Sequence, residues 1–244
     1  MKTGKQRLDM ALVERGLAES REQAQRLIYA GQITVKGQTV SKPSALIRAD
    51  EAIAAAAKPR FASRGGDKLD HALNYFAVDV AGKICLDAGA STGGFTDCLL
   101  QRGAQKVYAV DVGKGQLHWK LRNDPRIVIL DETNARNIEP ALFPRRPELA
   151  VIDVSFISLT KVLPAVINVV ASGGMLIALI KPQFEAERHE NKRGVVRSPE
   201  VRLRVLEKIK IFGRDTHLDF KGTCESPLMG PAGNVEFFIC WTVP

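Results

Sequence analysis

Ten residues, Leu86-Asp87-Ala88-Gly89-Ala90-Ser91-Thr92-Gly93-Gly94-Phe95, constrain the fold of this chain more than any others. The apolar run Ile84-Cys85-Leu86 leads into Asp87, a loop of small residues follows, and Phe95, Cys98 and Leu99 recur at helical spacing. That order predicts a strand, a glycine loop and a helix, the opening unit of an α/β nucleotide-binding sheet. Glycines let a ligand approach the backbone closely, and the helix N-terminus behind them offers free N–H groups. A plain β–α turn would satisfy the same ten residues, so the rest of the chain must decide.

The α/β rhythm continues. Further strands are predicted at 106–111, 126–131, 149–153 and 174–182, and two final ones near 216–224 and 235–243. Continuous apolar runs of this kind fit strands buried on both faces of a parallel sheet. Asp87, Asp111, Asp131 and Asp153 each end such a run, and open α/β sheets bind ligands at the carboxyl ends of their strands. Asp111 lies 24 residues after Asp87, near the ~20-residue spacing at which a second-strand acid bonds a ribose hydroxyl. Gly89-Ala90-Ser91-Thr92-Gly93-Gly94 is not G-x-G-x-x-G, and Phe95-Thr96 stands where a P-loop needs Lys-Ser or Lys-Thr. Acids around the site would repel phosphates. A cationic nucleoside without phosphate, S-adenosylmethionine, fits better.

Around this frame, Asp67–Phe76 reads as a helix with Lys68 in its first turn, preceded by a hinge at Phe61–Gly66. A helix over 159–170 is interrupted by Pro164. The polar, unperiodic stretch Gln183–Arg197 reads as a mobile loop over the active-site edge. Ser198 caps a helix with Pro199 at its first position.

The net charge of the 244 residues is +8, and residues 1–60 carry 11 Lys/Arg against 6 Asp/Glu. Most of the excess therefore sits on the first quarter of the chain, which suits a polyanion-binding module. There, Leu8, Ala11 and Leu12 mark one short helix. Ser20-Arg21-Glu22-Gln23 is a capping box for a second, and Ile33–Val40 reads as a hairpin turning at Lys36-Gly37. Arg7, Arg15, Arg21, Arg26, Lys36 and Lys42 lie outside the apolar stripes, placed to meet RNA phosphates. Pro59 and the low-information run before it place a domain boundary. The expected organisation is 1–58, a linker at 59–66, and 67–244. Four scattered cysteines and four scattered histidines predict no metal site and a reduced, cytoplasmic protein. Neither a signal-peptide core nor a membrane-spanning apolar run is read.

Arg7-Leu8-Asp9, Ser20 through Ala24 and Ile28 through Gly37 resemble the small RNA-binding domain named after ribosomal small-subunit protein four. Ser63 through Leu69, Leu86 through Phe95, Thr133 through Arg136, Asp153 through Leu159, Ile180 through Glu185 and Gly230 through Glu236 resemble the FtsJ-type RNA 2′-O-methyltransferases. Joined, the two parts resemble the TlyA/hemolysin A family of ribosomal RNA cytidine 2′-O-methyltransferases. Asp131 departs from that family's more usual Glu, and Phe61 from its Trp.

The resemblance implies a Rossmann-like α/β fold, a seven-stranded, mostly parallel sheet with its last strand antiparallel, beside a small α+β RNA-binding domain. It implies a catalytic tetrad of Lys68, Asp153, Lys181 and Glu236. S-adenosylmethionine would be held by Asp87, Gly89, Ala90, Ser91, Gly93, Gly94, Phe95, Asp111, Asp131 and Asp153. Ribosomal RNA, 16S, 23S or both, would be held by Arg7, Arg21, Arg26, Lys36, Arg60 and Arg64. The reaction would be in-line attack of a ribose 2′-hydroxyl on the sulfonium methyl, with Lys181 steering and accepting the proton. Neighbouring carboxylates favour a charged lysine and a second lysine favours a neutral one, so its resting protonation stays open, as does the choice between monomer and homodimer. The rival readings are a non-catalytic RNA-binding or assembly factor, against which the complete tetrad argues, and a membrane-active cytolysin, for which no amphipathic stripe is found.

Overall fold

Strands whose residues are apolar at every position must be covered on both faces, and the computed structural model shows how. It describes residues 5–29, 31–55, 60–191 and 193–244. The chain divides into two compact units, Met1–Lys58 and Pro59–Pro244. Residues 56–59, where the sequence places the boundary, lie outside the described residues.

In the first unit the order is β1 (Lys5–Arg7), α1 (Leu8–Glu14), α2 (Arg21–Tyr29), β2 (Ile33–Val35), β3 (Gln38–Thr39), β4 (Leu46–Arg48) and β5 (Ile53–Ala55). β2 pairs antiparallel with β3 and β5, and β1 with β4. Leu8, Leu12, Ala24, Ile28 and Ile33 are fully buried between the helices and these strands. The capping box forms with one change: Ser20 Oγ accepts from Gln23 N–H at 3.2 Å, while Gln23 Oε1 accepts from the N–H of Glu19 rather than of Ser20. The hairpin turns through Lys36 at φ 52° and Gly37 at φ 78°, the pair of left-handed residues that matches strand twist.

Three of the arginines expected to be free for RNA, Arg7, Arg15 and Arg21, have a second task. Asp9 is fully buried and accepts from Arg7 at 2.9–3.0 Å, Arg21 at 2.9 Å and Gln25 at 3.0 Å. The Arg7 guanidinium holds its carboxyl well below the usual carboxylate range. Arg15 donates to the carbonyls of Glu51, Arg48 and Ala49, and Lys36 pairs with Glu51 at 3.0 Å.

The second unit runs α3 (Arg64–Tyr75), β6 (Ile84–Ala88), α4 (Gly94–Gln101), β7 (Lys106–Val110), α5 (Trp119–Arg122), β8 (Ile127–Leu130), β9 (Leu149–Ile152), α6 (Leu163–Val169), β10 (Met175–Ile180), α7 (Pro182–Glu185), α8 (Pro199–Asp215), β11 (Asp219–Glu225) and β12 (Phe237–Thr242). The sheet order is β11-β12-β10-β9-β6-β7-β8, with β12 antiparallel to both neighbours and the β10-to-β8 pairs parallel. Alternation does the covering. Leu86, Ala150, Leu176 and Trp241 enter one buried layer, while Cys85, Val151, Ile177 and Phe238 enter the other.

Three expectations change. α3 starts at Arg64, not Asp67, so the last residues of the expected hinge and linker are helical. Ser63 caps the helix, its Oγ accepting from Gly65 N–H at 3.2 Å. Gly66 is glycine because a Cβ there would collide with the ring of Phe61. Lys68 therefore sits in the second turn, clear of the positive helix end. The helix expected over 159–170 is a three-ten turn at Leu159–Lys161 followed by α6, with Pro164 in the first turn of α6, where its missing N–H costs nothing. The described residues of 183–197, a stretch expected to be mobile, are anchored. Asn191 donates to the Gln183 carbonyl at 2.8 Å, Asn234 joins Val196 N–H and the Gly194 carbonyl, and Glu185 is buried.

Candidate active site

β6 ends in the loop that leads to α4, and its glycines answer to contacts. Gly89 has φ +94°, and a Cβ on it would lie 2.5 Å from the Asp153 carbonyl oxygen. Gly93 has φ +91° and abuts Leu117 and Leu121. Ser91 N–H donates to Asp111 Oδ2 at 2.8 Å, and Gly113 N–H to Asp111 Oδ1 at 2.7 Å. The Asp111 carboxylate keeps free lone pairs for a further donor.

A cavity of about 970 Å³ opens beside this loop. Gly89, Ser91, Asp111 and Asp153 line it, as the sequence expected. So do Thr133 and Asn134, which lie in one of the stretches that carry the resemblance, and Val112 and Gln116, which no sequence signal singled out. A second cavity of about 280 Å³ is lined by Arg64, Lys68, Ala90, Gly94, Phe95, Lys181 and Glu236. Gly89, Ser91, Asp153 and Ser155 line both, so the cavities adjoin there.

Three expected cofactor positions are placed elsewhere. Asp87 is fully buried inside β6, which runs on to Ala88. It sits beneath the loop, with Thr96 donating to Oδ2 at 2.7 Å and Oδ1 without a partner among the described residues. Burial pushes its carboxyl up to about 7. Asp131 lines neither cavity. Its Oδ2 accepts from Gly115 N–H at 2.9 Å and secures the loop after β7. Gly93 serves packing. Two of the four strand-end acids thus reach the cavity, and Arg136 and Lys161 line it as well. Its charge is mixed, so the argument from acids alone does not exclude phosphates.

Four charged side chains from four separate elements meet around the second cavity. Lys68 of α3 donates to Glu236 Oε2 at 2.5 Å, both buried. Gly230 leaves room for that carboxylate, which a Cβ would strike. Glu236 immediately precedes β12, which lies between β11 and β10, so this acid is not at a sheet edge. Lys181, past β10, sits with Nζ 2.6 Å from Asp153 Oδ1, past β9, and donates to Ser155 Oγ at 2.9 Å. An ion pair as buried as Lys68–Glu236 is costly to desolvate and adds little to stability. Its presence beside a cavity points to chemistry.

At the mouth stands a feature the sequence did not flag. Phe156 is 91% exposed, its backbone is left-handed at φ 63°, and its ring lies 5.1 Å from that of Phe184. Such strain in a bulky residue collects at functional sites. Of the residues expected to hold RNA, Arg64 lines the second cavity, and Arg60 pairs with Asp70 at 2.6 Å and lies over the Phe61 ring. Arg26 and Lys36 are exposed on the first unit. No helix among the described residues is long and apolar enough to cross a membrane.

Residues 61–243 match the FtsJ-like methyltransferase family, and residues 6–53 match the S4 domain. The 16S/23S rRNA (cytidine-2′-O)-methyltransferase TlyA of Mycobacterium tuberculosis is 45% identical over 236 residues, covering 96% of this chain and 88% of its own. Hemolysin A of Brachyspira hyodysenteriae is 42% identical, covering 95% and 97%. A solved structure from Streptococcus thermophilus, also named a hemolysin, superposes with a TM-score of 0.77 at 43% identity, covering 99% of this chain and 89% of its own.

Proposed function

This chain belongs to the FtsJ-like methyltransferases, and on that premise we propose that it methylates the ribose 2′-hydroxyl of cytidine in ribosomal RNA, with S-adenosylmethionine as donor. The observation that carries this reading is the meeting of Lys68, Asp153, Lys181 and Glu236 around a cavity that adjoins a larger, nucleoside-sized one.

The residues present fit the donor. Asp111 suits a ribose diol, Thr133, Asn134 and Gln116 suit the polar edges of a base, and Val112, 66% exposed, supplies an apolar face. Gly89 leaves backbone bare beside Asp153, whose carboxylate suits a cationic end. When bound, the donor supplies a methyl group already activated by positive sulfur.

The rest falls to the protein. Arg64, Arg136 and Lys161 surround the two cavities with positive charge for the RNA backbone. The exposed Phe156 ring offers a face for a base out of its stack, as single-stranded recognition requires. Lys181, held by Asp153, steers the 2′-hydroxyl and is placed to take its proton. The Lys68–Glu236 pair lines the same cavity. Orientation of this kind supplies up to ~7–11 kcal/mol, and a positioned base a further ~10²–10⁴-fold. The first unit docks the RNA through Arg26, Lys36 and the outward faces of Arg7 and Arg21.

Lys181→Ala tests the assignment. It should abolish methyl transfer to unmodified ribosomal subunits while leaving donor binding, followed by calorimetry, nearly intact. Near-normal transfer by this variant would refute it.

A further inference from the structure

The Lys181 ammonium has two neighbours of different kinds. Asp153 Oδ1 lies 2.6 Å from Nζ but at angles outside hydrogen-bond geometry. Ser155 Oγ accepts a true hydrogen bond from the same nitrogen at 2.9 Å, and is its one acceptor among the described residues. These contacts do different things. Charge attraction fixes where the nitrogen sits but is indifferent to rotation about the Cε–Nζ bond. A hydrogen bond is directional and fixes that rotation.

We propose that Ser155 is the positioning residue that aims Lys181 at the ribose 2′-oxygen; this rests on the reading of Lys181 given above. One N–H is committed to Ser155 and one side of the nitrogen is drawn to Asp153. The two remaining tetrahedral directions are then set by geometry, and the one turned farther from Asp153 is the one aimed at substrate. It carries an N–H in the ammonium and can carry the lone pair in the amine, so the aim is the same in either protonation state.

The backbone holds Ser155 to this task. Asp153 leaves β9 with its N–H bonded to the Ala88 carbonyl at 3.0 Å. Ser155 follows two residues on, and its hydroxyl meets the same Lys181 nitrogen as the Asp153 carboxylate. Phe156 at φ 63° then turns the chain away. Beyond it, the buried Glu185 carboxylate accepts from Ser158 Oγ and Leu159 N–H, both at 2.6 Å. Ser155 therefore rides on a strap fixed at both ends, at the junction that Gly89, Ser91 and Asp153 share between the two cavities. It is exposed and buries nothing, so packing does not account for a hydroxyl here.

The test is single-turnover methyl transfer to unmodified ribosomal subunits with full-length wild type, Ser155→Ala, Ser155→Thr and Lys181→Ala. Ser155→Ala should transfer about 10- to 100-fold more slowly at saturation, the scale of a small misplacement of a reacting group, with half-saturating RNA and donor concentrations unchanged. Ser155→Thr, which keeps a hydroxyl at the same position, should return to within about threefold of wild type, a small fraction of that misplacement loss. A Ser155→Ala rate within about twofold of wild type, well short of a misplacement effect, would overturn the proposal. So would Ser155→Thr as slow as the alanine variant. An active Lys181→Ala would instead remove the reading of Lys181 itself, so the two failures are told apart.

Discussion

Asp87 shows how far a residue's environment can depart from its place in a motif. By sequence it is the acid that opens the glycine loop; in the fold it is a buried carboxyl bonded to Thr96, raised to about 7 by desolvation. An unfolded Asp titrates near ~3.9. The folded state therefore keeps a proton that the unfolded state loses, and stability should fall as pH rises through that window, from about 4 to 7. Asp87→Asn removes the titration. Urea midpoints at pH 5 and pH 7.5 should converge in this variant relative to wild type, and an undiminished difference would contradict the placement. What the sequence could not carry here was depth. Asp87 and Asp111 look alike as acids ending apolar runs, but the strand passes Asp87 by one residue and leaves Asp111 at the cavity. Ser155 was illegible for a similar reason, since a serine acquires meaning only when Lys181 arrives beside it from another strand.

Among the elements, α3 separates propensity from packing. Its first turn contains Gly65 and Gly66, which in sequence read as a hinge. Helix propensity alone says that Gly66→Ala should stabilise, by up to about 1 kcal/mol. The structure says the opposite, because the new methyl would run into Phe61. The expected outcome is destabilisation by about 1–3 kcal/mol, seen as a lower melting temperature. A higher one would restore the hinge. The strands were legible because their apolar runs follow directly from burial on two faces. The end of the stretch 183–197 was not, because its anchor is a distant partner. Asn234 fixes Val196 and Gly194 across about forty residues of chain, beyond the reach of any periodicity.

At the scale of the molecule, charge and chemistry are divided between two units. The first, 58 of the 244 residues, carries half of the net charge of +8, and there Asp9 fixes Arg7 and Arg21 from beneath. The second brings lysines and carboxylates from four elements to one cavity. That tetrad was legible only through family resemblance, since no local pattern links positions 68, 153, 181 and 236. The way it divides into two ion pairs was not legible at all. Its central claim is chemical: the methyl group goes to ribose oxygen, not to a base. Purified protein should be incubated with methyl-labelled S-adenosylmethionine and unmodified 30S and 50S subunits, and the RNA then hydrolysed in alkali. A 2′-O-methyl group blocks cleavage at its own linkage, so the account predicts label in alkali-resistant dinucleotides with cytidine on the 5′ side. Label released as base-methylated mononucleotide, or no label in either RNA, would contradict it.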